Sequence, residues 1–210
     1  MTVYTFPSGP LDTNIFVVSC PKTNMCAIID APPGCFEKLS LYLEKNKLTP
    51  TKLLLTHSHW DHIGDVAQVK KKFLTPVLIH RDDVGNLEKP GSDRLPCWIE
   101  FPPVHPDGFI EDGDNIAVGQ LRITVIHTPG HTPGCVCFYN AENHLLFTGD
   151  TLFQGSIGNL SFPTAKPELM WDSLEKLRQL PAETRVLPGH GASTTIGSES
   201  WLARAQEIFG

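Results

Sequence analysis

The sequence predicts an α/β fold in which helices cover the outer faces of the sheets. Three observations lead there. Short β-branched apolar runs dominate the chain, and several are continuously apolar rather than alternating, as strands buried on both faces are. Helical periodicities lie between these runs. The chain has 210 residues, 40% of them hydrophobic and 19% charged, so it is long enough to bury a full core and too apolar to be disordered.

In chain order, strands are read over residues 15–18 and 27–29. A helix follows over 36–47, with Phe36, Leu39 and Leu43 on one face. Residues 53–55 form the next strand, 64–73 a helix and 77–79 another strand. The segment 90–106 holds five prolines and no periodicity, and is expected to form an apolar rim with Trp98 and Phe101. Strands return at 121–126, 136–139 and 145–147. A helix over 168–180 carries Met170, Leu174 and Leu177 at spacings of four and three and stops at Pro181. The last strand is 185–187, and a helix over 198–209 places Trp201, Ala205 and Ile208 on one stripe.

A net charge of −6 argues against a basic nucleic-acid surface. No apolar run approaches the roughly 20 residues that cross a bilayer. Residues 1–12 lack a basic stretch followed by an apolar one, so a cytoplasmic protein, monomeric or a small homo-oligomer, is expected. The six cysteines contain no Cys-x-x-Cys pair and read as reduced, mostly buried hydrophobes; Cys135 and Cys137 are assigned to packing rather than to nucleophilic chemistry.

The histidines carry the chemistry. Thr56-His57-Ser58-His59-Trp60-Asp61-His62 directly follows a strand, at the strand end where α/β folds place ligand sites. In extended backbone His57 and His59 point the same way, and Asp61 and His62 can face a second point as the chain turns. Three later residues sit just past strands beside glycines: His131, Asp150 and His190. Five imidazoles and two carboxylates suit two metal ions, zinc by preference, with iron and manganese as alternatives. The natural partition gives His57, His59 and His131 to one ion and Asp61, His62 and His190 to the other, with Asp150 bridging. A structural zinc site is usually closed by four ligands, so the larger set points to an enzyme. His80, His105 and His144 read as surface or loop residues. His127 reads either as a contact behind the ligands or as core.

These motifs, with Thr128-Pro129-Gly130-His131, Thr148-Gly149-Asp150 and Pro188-Gly189-His190, resemble the metallo-β-lactamase fold superfamily, over nearly the whole chain and including Asn14 and Asp30. Gly149-Asp150-Thr151-Leu152-Phe153 followed by Gly155-Ser156-Ile157-Gly158 is most similar to short-form glyoxalase II (hydroxyacylglutathione hydrolase). The resemblance implies one αβ/βα sandwich domain over 1–210, with two central mixed sheets and no further C-terminal helical glutathione-binding module. It implies hydrolysis of thioesters such as S-lactoylglutathione by a metal-bound hydroxide, with Asp61 both a ligand and the residue orienting that hydroxide. Asn159-Leu160-Ser161 departs from the Arg-Thr-Asp of short-form relatives, so activated thioesters are better supported as substrates than glutathione itself. Two alternatives on the same fold stay open: a mononuclear-iron persulfide dioxygenase using His57, His131 and Asp150, and a hydrolase of another ester or a lactam.

Overall fold

The apolar runs assemble into two six-stranded mixed sheets, and the computed structural model describes residues 1–210. The first sheet takes its strands in sequence order: β1 (Thr2–Ser8), β2 (Thr13–Ser19), β3 (Met25–Ile29), β4 (Thr49–Leu54), β5 (Val77–Ile79) and β6 (Gly108–Phe109). β1 to β3 pair antiparallel and β3 to β6 parallel. The parallel crossovers carry α1 (Phe36–Lys45), α2 (Trp60–Ile63), α3 (Val66–Phe73) and α4 (Val84–Glu88). The second sheet contains β7 (Asn115–Val118), β8 (Leu121–His127), β9 (Val136–Asn140) and β10 (Leu145–Gly149). A small hairpin, β11 (Leu152–Phe153) with β12 (Ser156–Ile157), and α5 (Pro167–Arg178) then lead to β13 (Arg185–Pro188), which pairs parallel with β10. β14 (Thr194–Thr195) closes that sheet, and α6 (Ala205–Phe209) ends the chain.

The continuously apolar strands are explained by three buried layers. Successive side chains of a strand face opposite ways. Phe16, Val18, Ala27, Ile29 and Leu54 therefore point inward and meet Ile123, Val125, Phe138 and Phe147 of the second sheet. Ile15, Val17, Ile28 and Leu53 point outward onto Leu39 and Leu43 of α1 and Val66 and Val69 of α3. On the far side Leu146 and Val186 pack on Met170, Leu174 and Leu177 of α5. This is the helix–sheet–sheet–helix order expected from the sequence.

Several boundaries differ from expectation. The first strand missed by sequence, β1, lies at a sheet edge where only Phe6 is fully buried, so its apolar signal is weak. The helix read over 64–73 starts at Trp60 and breaks in two, because the Asp65 N–H donates to the Ala31 carbonyl at 2.9 Å. The first helix stops at Lys45, and Lys47 adopts a left-handed φ of 51°. The stretch 198–209 is not one helix. It is made of 3-10 turns Ile196–Ser198 and Ser200–Arg204 followed by α6, which leaves Ile208 exposed while Leu202 and Ala205 are buried. No helix is long and apolar enough to cross a membrane.

The layer between the sheets fixes how the two halves meet. Phe147, fully buried in β10, stands edge-on to Phe16 of β2 with ring centroids 5.1 Å apart. Phe147→Ala is expected to cost about 3–5 kcal/mol of unfolding free energy, measured by urea denaturation; a loss below about 1 kcal/mol would show that this layer does not hold the sheets together.

Candidate metal centre

β4, β8, β10 and β13 all deliver their C-terminal ends to one rim of the sandwich, and the seven residues predicted from sequence follow them there, Asp61 and His62 on the short helix α2 and the other five on loops or strand ends. The structure brings all seven together. Ligand-capable atoms of His57, His59 and His131 lie within 4.8 Å of one another, as do those of Asp61, His62 and His190 and those of His57, His62 and Asp150. Asp150 stands between the two groups, with Oδ1 3.3 Å from His62 Nε2 and Oδ2 3.5 Å from both His131 Nε2 and His190 Nε2. Asp61 Oδ2 is 3.2 Å from His190 Nε2. Six of the seven are buried and His190 is half-buried.

Hydrogen bonds behind the rings set their tautomers. His62 Nδ1 donates to Asp30 Oδ2 at 2.8 Å, His131 Nδ1 to the Asn159 carbonyl at 2.9 Å and His190 Nδ1 to the Leu11 carbonyl at 3.0 Å. Thr56 gives its hydroxyl proton to Asp30 Oδ2, so its oxygen accepts from His57 Nδ1 at 3.1 Å. Four imidazoles thus turn an Nε2 lone pair toward the centre. His59 contributes Nδ1, 2.9 Å from His131 Nε2. Buried His57 Nε2, His62 Nε2 and Asp150 Oδ1 have no hydrogen-bond partner. Lone pairs converging on carboxylate oxygens repel unless a cation lies between them, so the donor set fits metal ions.

Protonation reflects the same demand. Burial alone would lower His62, but Asp61, Asp150 and Asp30 around it push it well above the ordinary range. Burial would also lower His190, yet its hydrogen bonds to Asp150 and Asp61 push it up to about 9. Asp150 is held well below the carboxylate range, against burial, by His62 and the hydrogen bond from His190. Burial together with its histidine neighbours drives His57 well down and His59 down to about 3, which keeps them neutral.

Three supporting residues lay outside the sequence reading of the site. Asp30, singled out only through the family resemblance, also accepts the Thr56 N–H at 2.8 Å and so locks β3 to the histidine loop. Thr13 donates to Asp61 Oδ2 at 2.9 Å. Asp83 accepts the Ser58 N–H at 2.9 Å, the Thr132 hydroxyl at 2.8 Å and the Gly134 N–H at 2.7 Å. It ties the His57 loop to the His131 loop, and burial pushes it up to about 6 despite those donors. The available signal was position: Asp83 follows β5 at the same rim.

The remaining histidines divide. His105 and His144 are exposed, as read. His80 is buried rather than on the surface, because it directly follows β5 and stacks on His127 with centroids 4.0 Å apart. His127 also reaches the Pro133 carbonyl with Nε2 at 2.9 Å. Cys135 and Cys137 are buried, which pushes the Cys135 thiol well up and that of Cys137 up to about 11, so neither is a ready nucleophile. Of the proline-rich segment, Leu95, Pro96 and Trp98 line a cavity of about 500 Å³ over the centre. Phe101 packs instead against the outer core of the first sheet. The side chain of Asn159 caps Ser161 N–H at 2.8 Å while its carbonyl holds His131.

Two glycines have no substitute here. Gly149 has φ of +48°, and a Cβ on it would lie 2.6 Å from Thr56. A Cβ on Gly189 would overlap Asp150 Oδ1 and come within 2.7 Å of His62 Cε1. Gly189→Ala is expected to weaken metal binding about 10- to 100-fold, read by competition with a chromophoric chelator; unchanged affinity would show that the close approach is not needed.

Removal of metal gives a second expectation. The core layers lie away from the rim, so chelated protein keeps its far-ultraviolet spectrum at pH 7. His190 rises from its ordinary 6.5 to about 9 in the folded metal-free chain, so its contribution is complete below pH 6.5 and is lost as pH rises through 9. Urea midpoints of chelated protein should fall across that window while those of metal-loaded protein do not. Unfolding on chelation, or identical profiles, would contradict this account.

A family model described as the metallo-beta-lactamase superfamily matches residues 8–190. The probable metallo-hydrolase YqgX of Bacillus subtilis is 36% identical over 197 residues, 92% of each chain. The hydroxyacylglutathione hydrolase GloC of Haemophilus influenzae is 36% identical over 209 residues, 95% of each chain. Among solved structures, the BLEG-1 B3 metallo-beta-lactamase superposes with a TM-score of 0.88 at 36% identity over the full length of both chains. A di-iron-bound form of TTHA1623 superposes with a TM-score of 0.82 at 37% identity, over 97% of this chain and 98% of that one.

Proposed function

The chain belongs to the metallo-β-lactamase superfamily, and on that premise we propose that it is a dinuclear-metal hydrolase of thioesters, of the kind hydroxyacylglutathione hydrolases cleave. One observation carries the reading: four imidazoles, aimed by the bonds behind them, converge with two carboxylates on two adjoining groups at one rim. His57, His59 and His131 would hold one ion, Asp61, His62 and His190 the other, and Asp150 both. Two divalent ions bound there supply an ionised water at neutral pH and polarise a carbonyl oxygen.

The chain's own groups supply the rest. Thr13 donates to Asp61 Oδ2 at 2.9 Å, which restrains the carboxylate that would both hold one ion and orient the attacking nucleophile. The aromatic and aliphatic wall beside the ligands lowers the local dielectric and so strengthens charge interactions there. A thioester suits such a site because its thiolate leaves without prior protonation. The mononuclear-iron alternative would use His57, His131 and Asp150 and leave the His62 and His190 lone pairs facing Asp61 with no ion between them.

Elemental analysis of protein purified without added metal is expected to find about two ions per chain, zinc or iron. Metal-loaded protein is expected to hydrolyse acyl thioesters, and Asp150→Asn to lower kcat/KM by at least about 100-fold. One ion per chain with oxygen consumption on a persulfide would replace this reading with the dioxygenase. Turnover confined to β-lactams, the substrates the BLEG-1 name indicates for that protein, would replace it with a lactamase.

A further inference from the structure

The cavity above the ligands has walls of one character. Apart from the ligand residues themselves, its lining is apolar except for two neutral polar residues, Ser156 and Asn159, and it contains no lysine or arginine. Its aromatic side chains stand at defined places. Phe162 lies edge-on to both His59 and His131, with centroids 5.5 Å away in each case. Phe153 faces His190 at 6.0 Å on the other side of the centre. Trp98 projects from the proline-rich segment at the mouth, edge-on to Trp60 at 5.5 Å and 70% exposed. An exposed tryptophan at such a mouth offers an apolar face that an apolar ligand entering the cavity would cover.

A glutathione thioester carries two carboxylates and an ammonium, and none of them finds an opposite charge on these walls. Each charge-assisted contact forgone is worth roughly 10- to 150-fold in affinity. A neutral ligand forgoes nothing. Its carbonyl or amide can use the Ser156 hydroxyl and the Asn159 amide, while its apolar parts fill the space between Phe153 and Phe162. From these observations, and resting on the reading of the site as a thioester hydrolase, we propose that the substrates are acyl thioesters of uncharged thiols with apolar acyl groups, selected by Phe153, Phe162 and Trp98.

The test uses metal-loaded full-length protein and a matched set of thioesters. Lactoyl and hexanoyl groups are each presented on glutathione and on N-acetylcysteamine, a neutral thiol. The N-acetylcysteamine esters are expected to show at least about tenfold higher kcat/KM than their glutathione counterparts, and the hexanoyl ester to exceed the lactoyl ester. Phe162→Ala should lower kcat/KM on the hexanoyl ester about tenfold or more and narrow the hexanoyl-to-lactoyl ratio. Trp98→Arg, at an exposed position that folding tolerates, should shift the preference toward the glutathione esters. A readout independent of turnover is tryptophan emission during titration with S-hexyl-N-acetylcysteamine, a thioether that cannot be hydrolysed. It should change with wild type and lose most of its amplitude in Trp98→Ala, and S-hexylglutathione should bind at least tenfold more weakly. Equal or better use of the glutathione esters would overturn this inference while leaving the thioester hydrolase in place. If no thioester is turned over, the functional reading fails, and the two thioether titrations still decide whether the cavity prefers the neutral ligand.

Discussion

The constraint on which this structure turns is the crowding of like-natured groups. Two carboxylates and five imidazoles, most of them out of contact with water, are held so that lone pairs face lone pairs. Such a cluster is repulsive unless metal ions or bound protons lie within it, and it cannot be left to side-chain flexibility, since any freedom would be spent in moving apart. Five of the seven are restrained from behind: His57 by Thr56, His62 by Asp30, His131 and His190 by main-chain carbonyls and Asp61 by Thr13. The surrounding elements serve to make those restraints rigid.

The sandwich provides that rigidity by geometry. Parallel strands end at a common rim, so β4 and β5 of one sheet and β10 and β13 of the other present their following loops side by side. The inter-sheet core sets the distance between the rims. Main-chain hydrogen bonds then stitch the loops directly: Val136 N–H to the Thr56 carbonyl at 2.9 Å, Asn14 N–H to the Gly189 carbonyl at 2.7 Å and Gly189 N–H to the Gly149 carbonyl at 2.8 Å. Asp83 adds a side-chain brace between the His57 and His131 loops. A small displacement of either sheet would thus be felt at the ligands, which is why the core and the centre are parts of one mechanical unit.

What could be read from sequence follows the same physics. The ligands were legible because each is a metal-type residue placed immediately after an apolar strand, often beside a glycine. The central strands were legible because burial on both faces leaves a dense apolar run. The residues behind the ligands were not, because their roles depend on pairings across long separations: Thr13 with Asp61, Asp30 with His62, Asp83 with Thr132. An aspartate or threonine carries no mark of which histidine it will meet. Edge strands such as β1 and β7 were missed for the opposite reason, since half-exposed strands carry little hydrophobic signal. His80 shows the limit of reading residues singly: its burial comes from its place directly after β5 against His127, a partner on the other sheet.

The support of His131 by the carbonyl of Asn159 separates two inheritances. A main-chain oxygen is offered by every amino acid, so the acceptor that aims the imidazole does not depend on which side chain stands at 159. Its side chain, meanwhile, borders the cavity that meets the ligand. One residue thus faces both ways: its backbone serves the ions and its side chain the ligand.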